Sequence, residues 1–328
     1  MLIIVTGCSG FIGFHLSNEL LNNNLSVLGI DNMISSGNVL QNWRLEQLKA
    51  KGINFLDVDI TNKAELNKKI KETNFSGVIS TVYHLAGLAG VRQSVLEPKN
   101  YYKNNIMGTI NMLNIATEFS GESFVLASSS SVYGSQKKRI PFVENETSEI
   151  PQSPYAFSKL FAEKISRDYS NISSLNVSSL RFFTVYGPAG RVDMSILKFI
   201  HNIINDYPIN VFGNGFQERD FTYVKDICDG IIKSSQIDGF EIFNLGSSKP
   251  YSVIKVLSTL KEIINKEPKI EYLPKHFADV DYTWANIDKA KSLLKWHPST
   301  SLKDGLEKTV NWYKNNKNWI SSIFEKIN

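Results

Sequence analysis

Tyr155 and Lys159 stand four residues apart in "SPYAFSKLFAE", so on a helix they share one face. An ammonium beside a phenol favours the tyrosinate and draws its pKa down from about 10 toward neutrality. A tyrosine so tuned is a general base for a substrate hydroxyl. The upstream run "SSSSVYG" supplies hydroxyls at a strand end, and Ser129 can share the substrate proton. Near the N-terminus, "VTGCSGFIG" places Gly7, Gly10 and Gly13 between an apolar run and a helical stretch. A glycine turn of this kind brings backbone close to a pyrophosphate, and the following helix offers free N–H groups and a partial positive charge. Asp31 follows about 20 residues on, at the end of the second strand, where an acid hydrogen-bonds an adenosine ribose. Its charge repels a 2′-phosphate, so the pattern predicts NAD rather than NADP. Asp59, expected to end the third strand, faces the adenine on the same logic.

The elements that must position these groups read as an alternation. Leu2–Thr6, Ser26–Asp31, Ile53–Val58, Val78–His84, Ser123–Ser128 and Val177–Phe182 read as strands, mostly continuous apolar runs of the kind buried on both faces. Helical patterns cover Gly13–Asn23, Lys63–Glu72, Lys99–Glu118 and Tyr155–Ser170. The alternation predicts an α/β, Rossmann-type doubly wound parallel sheet. After about residue 185 the rhythm changes. This predicts a dinucleotide-binding domain over residues 1–185 that carries the Ser, Tyr and Lys, and a smaller C-terminal α/β lobe over 186–328. No Gly/Ser linker separates them, so the lobe is expected to pack directly on the first domain. Two long stretches, "NNIMGTINMLNIATEF" and "SPYAFSKLFAEKISRDY", carry apolar residues on more than one helical face.

The 328 residues are 42% hydrophobic and 21% charged, with a formal net charge of +4. No basic block supports nucleic-acid binding. Lys137, Lys138 and Arg139 read as a solvated loop. The two cysteines, Cys8 and Cys228, are too few for a disulfide framework or a zinc site, and no metal is expected. Cys8 reads as a packing residue. No run of about 18 apolar residues is present to span a membrane, and the chain is expected to be cytoplasmic.

These motifs together resemble the extended short-chain dehydrogenases/reductases. Within that group the chain is similar to the nucleotide-sugar 4-epimerases, most of all to UDP-glucuronate 4-epimerases. The similarity runs through "HLAGLAGVRQSV", "YYKNNIMGTINML", "LRFFTVYGPAGRVDM", "RDFTYVKDI" and "DVDYTWANIDKAKSLLKWHP" as well. The resemblance implies an NAD-dependent isomerase of a UDP-sugar in polysaccharide biosynthesis, working as a homodimer through paired helices. It implies a cofactor site of Gly7, Gly10, Phe11, Ile12, Gly13, Asp31, Asn32, Asp59, Ile60, Leu85, Ala86 and Gly87, with Lys159 on the nicotinamide ribose. It implies a substrate site of Arg92, Ser129, Ser130, Ser131, Thr184, Arg191, Arg219 and Asp279, with Arg219 on the phosphates and Asp279 on the uridine ribose. His276 stands where relatives acting on neutral UDP-sugars often have a phosphate-binding Arg. The short "GPAGRVDM" stretch carries Arg191, whose planar fork suits a uronate carboxylate. Dehydratases of this group need an acid/base pair after the strand-end hydroxyl, and decarboxylases a Glu there. This chain has Ser130 and Ser131, which can do neither. The alternatives are a 4-epimerase of UDP-glucose, UDP-N-acetylglucosamine or another UDP-sugar, a decarboxylase or dehydratase, and a non-catalytic NAD-binding protein. The last kind typically lacks the Tyr or the Lys.

Overall fold

The apolar run Leu2–Thr6 (β1) is an inner strand of a seven-stranded sheet in a computed structural model that describes residues 2–33, 38–73, 78–135, 138–146, 151–275 and 280–325. Val27–Asp31 (β2), Asn54–Asp57 (β3), Ile79–His84 (β4), Ser123–Ser129 (β5) and Asn176–Phe182 (β6) complete the doubly wound core. Thr184–Tyr186 (β7), Ile209–Phe212 (β8), Glu218–Tyr223 (β9), Phe240–Leu245 (β10), Pro250–Ser252 (β11) and Ile270–Leu273 (β12) follow. The large sheet has the order β10-β6-β5-β4-β1-β2-β3, and every pairing in it is parallel. Neighbouring residues such as Ile4 and Val5, or Phe124 and Val125, fall in different buried clusters. The sheet is therefore covered on both faces, which is why its strands read as unbroken apolar runs. Strand order reverses between β1 and β4, and a crevice at such a switch point is where a doubly wound sheet binds its ligand.

The second half of the chain is not confined to a separate lobe. Phe240–Leu245 returns to the large sheet and pairs along Asn176–Phe182. The remaining short strands form a three-stranded sheet, β11-β9-β7, and a two-stranded one, β12-β8. Among the described residues no helix is long and apolar enough to cross a membrane, and no group of three His, Cys, Asp or Glu could hold a metal ion.

Two elements differ from the sequence reading. The single helix expected over Lys99–Glu118 is broken into Pro98–Tyr102, a π-helical turn at Lys103–Met107, and Gly108–Glu118. The helix Asn38–Lys49 was not expected, because its apolar residues Val39, Leu40, Trp43, Leu45 and Leu48 are interspersed with polar ones. Lys138 and Arg139 are exposed as expected, with the Arg139 fork meeting Glu218 at 2.7 and 3.0 Å and its guanidinium over the Trp284 ring, while Lys137 lies outside the described residues.

Candidate active site

The glycine turn closes because each glycine lacks a Cβ where backbone must approach. Gly7 has φ +69, and a Cβ there would lie 2.8 Å from the Ala86 nitrogen at the end of β4. At Gly13 a Cβ would lie 2.0 Å from the Gly7 carbonyl oxygen, so the helix Phe11–Asn22 can start only with glycine at that point. The helix begins at Gly10 without a side-chain cap, leaving its N-terminal end to a ligand. Leu85 and Ala86 pass over the turn from β4, and Gly87 follows beside Asn105 and Lys159. Asp31 ends β2, is buried, and accepts from the Ser9 amide (3.1 Å), the Ser9 hydroxyl (2.5 Å) and Gln41 (3.0 Å). A backbone cradle with a carboxylate at its ribose end fits a dinucleotide without a 2′-phosphate. Asn32 follows Asp31 and is half-buried. Asp59 lies two residues beyond β3 rather than at its end, and its carboxylate accepts from the Thr61 amide (2.8 Å). Ile60 is buried against Gly108, and its carbonyl accepts from Asn111 (2.9 Å).

Ser153 caps the helix Pro154–Ile172 by accepting from the Ala156 amide, and Pro154 occupies its first turn. That start sets the face carrying Tyr155, Lys159 and Glu163. Tyr155 is half-buried, with the Ser129 side chain close enough to act on its phenol. Lys159 is buried and donates to the Ala127 carbonyl at 2.8 Å. Its Nζ would lie 3.3 Å from a Cβ at Gly87, which places the ammonium under the loop expected to line the cofactor. Burial pushes Lys159 down to about 8, against the opposing charge of Glu163. The expectation that Lys159 pulls the Tyr155 phenol down is corrected. Burial raises that phenol, while the Ser129 side chain and then the Arg191 charge oppose the rise.

Arg191 thus acts on Tyr155 electrostatically. Its side chain is 36% exposed, and its fork is taken by Asp193 at 3.0 and 2.5 Å. Ser130 and Ser131 start a short 3-10 turn after Ser129, whose hydroxyl accepts the Ser131 amide. Thr184 opens β7, half-buried and paired with Phe221. Arg219 lies on β9 and donates to the Glu218 carbonyl. Arg92 is exposed, with its guanidinium 4.6 Å from the Phe212 ring centre, so it spans from the first domain to β8. Phe11 is buried, while Ile12 is half-buried behind the glycine turn. Asp279 and His276 lie outside the described residues.

Several site residues were missed from sequence. Asn105, on the π-helical turn, bonds both backbone groups of Leu88 (2.8 and 3.0 Å) and the Ser158 hydroxyl (2.9 Å). A π-helical turn re-aims one residue of a helix and often marks a functional place. His84 links β4 to β1 and to the helix Gly108–Glu118. Thr109 donates to the Asn105 carbonyl, so it accepts from His84 Nε2, while Thr6 Oγ1 meets Nδ1 at 2.8 Å. Glu163 and Arg181 form a buried bidentate pair at 3.0 and 2.7 Å behind Lys159, and Ser128 donates to the same carboxylate. Only the spacing of Asn105, Gly108 and Thr109 in "NNIMGT" offered a signal, and it needs the fold to be read.

A family model described as GDP-mannose 4,6-dehydratase matches residues 4–309. The chain is 47% identical to a UDP-glucuronate 4-epimerase of Thermodesulfobacterium geofontis over 323 residues, 98% of each chain. It is 31% identical to a probable UDP-glucuronate 4-epimerase of Rhizobium meliloti, over 96% of this chain and 98% of that one. Among solved structures, the UDP-glucuronic acid 4-epimerase of Bacillus cereus in complex with UDP-glucuronic acid and NAD superposes with a TM-score of 0.88. The two are 34% identical over 96% of this chain and 100% of that one. The UDP-glucose 4-epimerase of Thermotoga maritima with UDP-glucose superposes with a TM-score of 0.89 at 28% identity, over 97% of this chain and 100% of that one.

Proposed function

The chain belongs to the extended short-chain dehydrogenase/reductase family represented by the GDP-mannose 4,6-dehydratase model, and from that premise we propose that it is an NAD-dependent 4-epimerase of a UDP-hexuronate. It interconverts UDP-glucuronate and UDP-galacturonate through a transient 4-keto sugar. NAD held by the glycine turn and Asp31 supplies a reversible two-electron acceptor for C4. Tyr155 takes the proton of the 4-hydroxyl, Ser129 shares it, and the same pair returns it to the C4 oxygen once the keto sugar has turned, so that the hydride the cofactor would hold could come back to the opposite face of C4. Gly7, Gly10, Gly13 and Asp31 hold the cofactor, Lys159 faces its ribose, and Arg219 and Asp279 meet the UDP portion.

Two features separate this reading from sister reactions. Ser130 and Ser131 bring no carboxylate beside the 4-keto sugar, so the elimination of a dehydratase has no acid/base pair. Epimerisation needs none. The observation that carries the uronate is Arg191, whose charge acts on the Tyr155 phenol and opposes the rise that burial causes. A rigid charged fork so near the C4 base suits a carboxylate on the adjoining carbon. Asp193 already fills that fork, and this is what favours the second reading, a neutral UDP-sugar with a self-neutralised Arg191. A turnover screen of UDP-sugars with and without the C6 carboxylate separates them. Fast turnover of UDP-glucuronate with little of UDP-glucose is expected, and the reverse order removes the uronate.

The same reading places the enzyme in the cytoplasm, supplying a sugar nucleotide for polysaccharide synthesis; the buried free thiols of Cys8 and Cys228 suit that compartment. It also makes the enzyme a homodimer.

A further inference from the structure

Three consecutive carbonyls precede Arg191, and side chains of the dinucleotide domain hold all three. His15 Nε2 donates to Pro188 at 2.8 Å. Arg44 donates to Ala189 through Nε (3.0 Å) and Nη2 (2.6 Å), and to Gly190 through Nη2 (3.1 Å). Its Nη1 donates to the Ser9 carbonyl inside the glycine turn at 3.2 Å. The guanidinium is 5% exposed, and the acceptors of these bonds are neutral. Burying a cation on carbonyls is unfavourable unless geometry needs it. The geometry that needs it is local. Ala189 has φ +50, a left-handed conformation that a non-glycine residue keeps only when its surroundings hold it. A planar fork fixes the positions of several acceptors at once, which an ammonium cannot do.

The same helix serves the cofactor end. Gln41, three residues before Arg44 on Asn38–Lys49, donates to the Ser9 hydroxyl (2.9 Å) and to Asp31 (3.0 Å). One helix therefore braces the ribose acid with one side chain and the loop before Arg191 with another. Arg44 and Arg191 also lie close enough for each charge to be felt by the other.

We propose that Arg44 is a positioning residue for substrate recognition: by clamping the Pro188–Gly190 backbone onto the glycine turn, it sets where the Arg191 fork stands and so how strongly a C6 carboxylate is preferred over a neutral hydroxymethyl. This rests on the uronate reading above.

The test compares the parent with Arg44→Lys, which keeps the charge without the fork, and Arg44→Met, which keeps neither. Calorimetric titration gives the dissociation constants of UDP-glucuronate and UDP-glucose for each, and bound NAD is assayed after denaturation. The expected result is a parent that prefers the uronate and variants in which that preference falls by on the order of tenfold. UDP-glucose affinity should change less than about twofold, with NAD content held. Amide exchange at residues 189–191 should speed up in both variants. The preference is a ratio, so a smaller yield of folded protein leaves it unaffected, and where Arg44→Met does not fold, Arg44→Lys decides alone. Equal losses for both sugars make Arg44 merely structural and overturn the proposal. An unchanged preference, or full rescue by Lys, does the same. A parent without uronate preference instead removes the uronate reading, and the amide-exchange comparison then decides whether the clamp exists.

Discussion

Each residue of the site has a distinct physical task, and removing it predicts a distinct loss. Tyr155→Phe keeps the ring against Tyr101 and removes the proton acceptor. Turnover should fall about 10²–10⁴-fold while NAD still co-purifies, and near-parent turnover would reject Tyr155 as the base. Arg191 carries a different consequence. Oxidising a uronate at C4 makes a β-keto acid. When its C5–C6 bond breaks, the electron pair passes to the C4 carbonyl, carbon dioxide leaves, and C5 takes a proton from solvent. Holding the carboxylate away from the angle that aligns this bond with the carbonyl suppresses the loss. Arg191→Ala should cut uronate turnover on the order of 10²-fold and release a UDP-4-keto-pentose, read by mass spectrometry. A variant that epimerises UDP-glucuronate at the parent rate would count against the grip. The glycines, Asp31, Tyr155 and Lys159 were legible in the sequence because short-range spacing encodes them. Arg44, His15 and Glu163 were not, because their partners Ala189, Pro188 and Arg181 lie 145, 173 and 18 residues away.

Among elements, six of the seven strands of the large sheet were legible to within a residue at each end, since burial on both faces leaves a continuous apolar run, whereas β10 was not, because it returns to the sheet from the second half of the chain. Helices were less so. Lys99–Glu118 has the composition of one helix, yet a π-helical turn interrupts it where Asn105 must reach the Leu88 backbone and Ser158. Propensity does not encode that demand. His84 joins three elements through Thr6 and Thr109, and its environment makes a pH prediction. Burial, aided by the Lys159 charge, pushes it from the ordinary imidazole value of about 6.5 down to about 3. Between those values the unfolded chain binds a proton that the folded one refuses. The stabilisation is therefore complete above about pH 6.5 and is lost as pH falls, at about 1.4 kcal/mol per unit. Buried Glu144 and Asp220, whose carboxyls are pushed up, act in the opposite sense, so a single protein's acid profile mixes both. His84→Gln keeps one donor and one acceptor and does not titrate. Urea midpoints of parent and variant should diverge near neutrality and converge toward about pH 4; parallel profiles would show that His84 charges freely in the fold.

At the scale of the whole molecule, the chain re-enters its first sheet at β10, so the second half packs on the first. Among the described residues, several exposed apolar side chains fall together on one face. Tyr102 (38% exposed), Met107 (49%), Phe157 (44%) and Phe161 (41%) share it. Tyr102 meets Phe157 edge-on at 5.7 Å, and Phe157 stacks on Phe161 at 5.8 Å. A shallow hollow of about 480 Å³, lined by Pro98, Lys99, Tyr102, Lys103, Ile106 and Met107, lies beside them. Aromatic side chains exposed in a row on two adjoining helices leave much apolar area in water. Docking the same face of a second copy across a two-fold axis would bury it, each helix pair filling the other's hollow. Tyr155 and Lys159 stand on the same helix as Phe157 and Phe161, so the contact would also stiffen the element that carries the catalytic groups. The homodimer is therefore expected to use this face. Phe161→Glu places a charge on it where the monomer exposes the ring to solvent, so the monomer fold should tolerate the change. Sedimentation velocity at micromolar concentration should show a dimer for the parent and a monomer for the variant, with bound NAD retained in both. A variant that stays dimeric moves the interface elsewhere, and a monomeric parent removes the dimer altogether.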